Sequence, residues 1–140
     1  MAVAGPYFVD ASQTAGAPLT EDMSVTILAR ITGAAVAAVQ IVDVSTITCK
    51  VFDLSSTAPT TEIGTSPTVT VATAISDTLQ TGSTTRWTKD GTGYNFLHTI
   101  AATYFADPDH RYRVEYIMTP ASGNALKFAV EFVTLAWVTT

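Results

Sequence analysis

The stretch RYRVEYIMTPASGNALKFAVEF, Arg111 to Phe132, decides the fold. Tyr112, Val114, Tyr116 and Met118 occupy every second position, alternating with Arg111, Arg113 and Glu115. A strand sends successive side chains to opposite faces, so this pattern makes one apolar face and one charged face. Pro120, Ala121, Ser122, Gly123 and Asn124 then supply turn chemistry. Beyond the turn, Leu126, Phe128, Val130 and Phe132 repeat the two-residue period while Lys127 and Glu131 face out. Antiparallel pairing about the turn brings Arg113 near Glu131, an opposite-charge pair that mildly stabilises adjacent strands. The bulk of the inner face predicts that this hairpin anchors the core, and truncating Phe128 to Ala is expected to cost about 3–5 kcal/mol if it is fully buried.

The same period recurs upstream. Tyr94, Phe96, His98 and Ile100 predict a strand, as do Val69, Val71 and Ile75, and again Ile47, Cys49 and Val51. Residues 24 to 32 predict another, with Val25, Ile27, Ala29 and Ile31 on one face and Thr26, Leu28 and Arg30 on the other. Residues 54 to 67 and Gln80 to Gly93 are turn-rich connections, the second holding Trp87. Ala34 to Val39 is too short for a stable helix and is read as a loop or short strand, and Asp43, Ser45 and Thr46 suit a tight turn. The chain contains 25 Thr and 14 Val, and such β-branched residues favour sheets. Short strands without a helix longer than one turn predict an all-β fold. An immunoglobulin-like antiparallel β-sandwich of about seven strands is expected, with a jelly roll or small barrel as the alternative.

Gly5, Pro6, Gly16 and Pro18 punctuate the first 22 residues, which are read as an extended N-terminal arm (1–22) ahead of a sandwich domain (23–140). Tyr7, Phe8 and Val9 form an apolar knot in that arm, suited to docking either on the chain's own domain or on a neighbour.

Composition excludes several functions. With 140 residues, 47% hydrophobic and 14% charged, the chain is one domain of ordinary size and not a disordered one. A formal net charge of −5 with scattered Lys and Arg argues against nucleic acid as a partner. The single cysteine, Cys49, excludes an internal disulfide and a cysteine-built zinc site. The most apolar window, Ile27 to Val44, is broken by Arg30, Gly33 and Gln40, so no membrane span is expected. The N-terminus lacks a signal-peptide pattern, and the chain is expected to be made and kept soluble in the cytoplasm of its host.

Candidate chemistry is sparse. Asp107, Asp109 and His110 form the densest polar cluster and could hold a divalent cation, but Asp-Pro-Asp before a strand favours a plain turn. His98, between Phe96 and Ile100, is expected to be a hydrogen-bonded structural histidine, and Cys49 a small buried hydrophobe. Gly91-Thr92-Gly93 has the wrong length for a phosphate loop. Asp77, Asp90, Glu115 and Glu131 lie far apart in sequence, and nothing there brings two of them together as a glycosidase pair. No catalytic, cofactor or metal site is expected, and the protein is read as a non-enzyme. Trp87, Tyr94 and Trp137 could form a stacking platform for sugar rings, as in carbohydrate-binding modules, or could pin the loop and the C-terminus to the sandwich.

Asp-Thr-Leu-Gln-Thr (77–81), Arg-Trp-Thr-Lys-Asp (86–90), Gly-Tyr-Asn-Phe (93–96), Tyr-Arg-Val-Glu-Tyr (112–116) and Thr-Pro-Ala-Ser-Gly (119–123) together resemble small proteins encoded among the structural genes of tailed bacteriophages and prophage-like clusters. The likeness spans residues 77 to 133, a little under half the chain; the arm and residues 24 to 46 fall outside it. It implies a virion component, either a capsid decoration (cement) protein or a head–tail adaptor or tail subunit, located in the virion with capsid or tail subunits as partners. It also implies a homo-oligomer, a trimer being the form decoration proteins usually take. The low charge fraction fits a surface buried against neighbours. Tyr7, Phe8, Val9, Trp87, Leu135 and Trp137 are the residues expected at such contacts.

Overall fold

The computed structural model describes residues 8–13, 19–33, 37–81, 87 and 91–137. Seven strands among them form two antiparallel sheets: β1 (Phe8–Gln13), β2 (Val25–Thr32), β3 (Val44–Asp53), β4 (Ile75–Gln80), β5 (Tyr94–Ile100), β6 (Arg111–Pro120) and β7 (Leu126–Val133). One sheet has the order β1-β2-β5-β4 and the other β3-β6-β7. Lettered A to G along the chain, these are ABED and CFG, the strand order of constant-type immunoglobulin domains. The protein is an all-β antiparallel sandwich.

The core forms where the two inner faces meet. Ile27, Ala29, Ile31, Phe96 and Ile100 come from one sheet, and Ile47, Cys49, Val51, Tyr112, Val114, Tyr116 and Met118 from the other. The β6–β7 register pairs Arg113 with Glu131 as the alternation predicts. Their charges lie 3.7 Å apart, with Arg111 adding a 3.3 Å contact to the same carboxylate. Phe128 is only half-buried, stacked on Tyr116 at 5.1 Å and edge-on to Phe96 at 5.6 Å, so its truncation belongs below the full-burial range.

Besides Ser45 and Thr46, read with Asp43 in a tight turn but lying in β3, two elements differ from expectation. Val69 and Val71 do not open a strand. Val71–Ala74 is a single helical turn, α1, closed by the Ala74 N–H donating to the Thr70 carbonyl, and β4 starts only at Ile75. Val71 and Ile75 are four apart, an interval that a strand face and a helical turn share, so the spacing does not decide between them.

The second difference concerns the first 22 residues. β1 pairs along its whole length with β2, from Phe8 opposite Thr32 to Gln13 opposite Ile27. Leu19–Glu21 then lies against the other sheet, where Thr20 makes a parallel bridge to Leu135. The Leu135 N–H donates to the Leu19 carbonyl (2.8 Å), and the Glu21 N–H donates to the Leu135 carbonyl (3.1 Å). Leu19 itself is buried in the core. Of the segment read as an arm, residues 8–13 therefore belong to the first sheet and Leu19–Glu21 pair with the chain beyond β7, so the folded unit begins before residue 23.

Candidate interaction surface

Past β7 the chain continues extended, and its side chains divide by face. Thr134 is buried. Its Oγ1 donates to the Asp107 carbonyl (2.6 Å), its N–H donates to the His110 carbonyl (3.0 Å), and its own carbonyl accepts the Asp109 N–H (2.9 Å). Alternate positions point the other way: Val133, Leu135 and Trp137 are 43%, 44% and 67% exposed. The backbone beneath them is fixed, because Leu135 pairs with Leu19 and Glu21, and the Trp137 N–H donates to both Glu21 carboxylate oxygens (2.8 and 3.0 Å). Exposed Met23 stands at the same edge, its sulfur 3.5 Å from the Thr20 nitrogen. The result is an exposed apolar strip on a backbone hydrogen-bonded to Leu19 and Glu21.

Of the residues expected at contacts, Leu135 and Trp137 lie on this strip. Tyr7 is outside the described residues. Phe8 and Val9 enter β1, paired with Thr32 and Ile31. Trp87 is withdrawn: it is 8% exposed, 6.1 Å from the Tyr94 ring, with the Arg30 guanidinium 5.7 Å over its own ring. Arg30 also donates to the Gly93 carbonyl (3.1 Å), and Trp87 packs on the outer face of the four-stranded sheet through this cation–π contact. Trp87, Tyr94 and Trp137 therefore do not offer a shared flat face for sugar.

The remaining polar candidates are satisfied within the fold. The His98 Nε2 lies 3.1 Å from the Thr68 carbonyl, which can only accept, so this nitrogen carries the proton; Nδ1 then accepts from the Tyr116 hydroxyl at 2.8 Å. Burial pushes the His98 pKa down, with the Thr68 contact opposing it. Burial likewise pushes the Cys49 thiol up to about 12, which leaves it unreactive as a thiolate. The Asp77 carboxylate accepts the Ile41 N–H (2.7 Å), and Asp90 lies outside the described residues. Glu115 and Glu131 do converge, but on Arg113, 3.0 and 3.7 Å away, as an ion-pair network on the outer face of β6 and β7. A shallow depression of about 370 Å³ beside it is lined by Arg113, Glu115, Ile117 and Lys127 among others.

Asn95 was not singled out by the sequence. It is fully buried; its Oδ1 accepts the Ile31 N–H (2.7 Å), and its Nδ2 donates to the carbonyls of Ile31 (2.8 Å) and Val39 (2.9 Å). A side-chain amide carries the same donor and acceptor as a peptide unit, so Asn95 takes the place of a strand neighbour where the β2–β5 ladder stops at Ala29 and Phe96. A single polar residue in a β run gives no sign of this from sequence. Comparison of the chain with protein-family models, with curated proteins and with solved structures gives no match.

Proposed function

We propose that this chain is a non-enzymatic virion structural protein, a capsid decoration (cement) protein or a head–tail adaptor or tail subunit, acting through protein–protein contacts with other virion proteins and with copies of itself. The observation that carries this reading is the apolar strip of Val133, Leu135 and Trp137, exposed on a backbone already fixed by Glu21 and Leu19. A preordered apolar edge loses little conformational entropy on docking, which favours assembly. His98, the buried cysteine and the buried amide are engaged in holding the fold.

The test is made on purified particles from a host carrying the gene. Mass spectrometry should find the chain in stoichiometric amount, and electron microscopy should place density for the sandwich on the shell, neck or tail. Leu135→Ser with Trp137→Ser should lower its occupancy while the isolated protein keeps its melting temperature. Particles that lack the chain would sink the proposal, as would full occupancy of the double variant.

A further inference from the structure

A donor set of mixed chemistry gathers where β3 ends and β6 begins. Asp53 closes β3 and is buried, while Asp107 and His110 stand in the turn that leads into β6. The His110 Nδ1 lies 2.6 Å from Asp53 Oδ2 and 3.9 Å from Asp107 Oδ2. The three donor atoms all fall within 4.8 Å of one another. Donors in a tetrahedral shell around a first-row divalent ion sit about 3.4 Å apart, so moving each donor by well under about 1 Å would enclose one.

The scaffold behind these donors is fixed from several directions. The Asp107 nitrogen lies 3.0 Å from the Tyr112 hydroxyl, and its carbonyl accepts from Thr134 Oγ1 at 2.6 Å. The other Asp53 oxygen accepts the Ser55 N–H (3.0 Å). Charge is lopsided as well: Asp109 joins Asp53 and Asp107 in acting on His110, while Arg111, next along the chain, turns away to Glu131. The sequence cluster pointed to Asp109, but the convergent third donor is Asp53, 54 positions before Asp107 and brought in by the β3–β6 pairing.

We propose that Asp53, Asp107 and His110 form a binding site for a divalent transition-metal ion of the zinc type, with water completing its shell. An imidazole nitrogen beside two carboxylates favours a borderline ion over calcium, which takes six to eight oxygens. Bound there, the ion would cross-link the end of β3 to the turn before β6 and, through Thr134, brace the chain that carries the apolar strip.

The full chain, stripped of metal with a chelator and dialysed, is titrated with Zn²⁺ and separately with Ca²⁺ by calorimetry. One Zn²⁺ per chain should bind and raise the melting temperature, and Ca²⁺ should show no saturable binding. Asp107→Asn and His110→Gln should each weaken Zn²⁺ affinity by at least about tenfold with unchanged far-UV circular dichroism. The Asp107 carboxylate is mostly exposed, so that variant keeps the test decisive if His110→Gln fails to fold. Co²⁺ should give visible absorption bands that depend on His110. The site is overturned by an absence of saturable Zn²⁺ binding, by Zn²⁺ binding that both variants retain undiminished, or by Ca²⁺ binding as tight as Zn²⁺.

Discussion

Asn95 holds together a place where regular pairing stops. Replacing it with Ala would leave the Ile31 N–H buried without that acceptor, and an orphaned buried donor costs about 1–3 kcal/mol. Chemical denaturation of Asn95→Ala should show that loss, with Asn95→Asp no better because a carboxylate cannot donate to the Ile31 and Val39 carbonyls. His98 works at the same scale. Its folded pKa is held below the ordinary 6.5 by burial, so the unfolded chain binds more protons as the pH falls through that range. Stability should therefore decline as pH drops from about 6.5 toward the lowered pKa, and it should be flat with respect to this group above 6.5. Melting curves of His98→Gln should lack that acid-side slope; an identical slope would exclude His98 as its source.

At the scale of elements, the N-terminal segment behaves as part of the sandwich. Leu19 fills the core and its carbonyl receives the Leu135 N–H, so Leu19→Ala should cost about 2–5 kcal/mol in equilibrium unfolding. Removing residues 1 to 13 should lower the melting temperature by stripping β1 from β2, where loss of a free arm would leave it unchanged. The hairpin of β6 and β7 was legible because apolar and polar residues alternate over most of its length. β2, β3 and β5 were legible for the same reason. The segment before residue 23 was not, since Gly and Pro around a short strand mimic a tail, and a pairing partner more than 100 positions away leaves no local trace. α1 was missed because three apolar residues cannot separate a two-residue period from a four-residue one. At the candidate surface, Leu135 and Trp137 could be picked out as apolar residues near the chain's end, but the burial of Trp87 depends on Arg30, a residue 57 positions earlier in sequence.

At the scale of the whole molecule, the distribution of apolar surface sets behaviour in solution. Val133, Leu135 and Trp137 repeat on one edge, so association should concentrate there. Sedimentation of the wild type should show an oligomer that Leu135→Ser with Trp137→Ser weakens by about 2 kcal/mol or more per contact, whereas Val42→Ser, at an exposed position in the turn before β3, should leave it unchanged. Retention of the oligomer by the double variant would place self-contact elsewhere.

The bridge between Thr20 and Leu135 is parallel, and this sets how the protein meets mechanical load. Tension drawn toward the front of the chain at Leu19 and toward its rear at Trp137 would slide the two segments past each other. The two hydrogen bonds between them would then share the force together, in shear, where an antiparallel pair would unzip one bond after another.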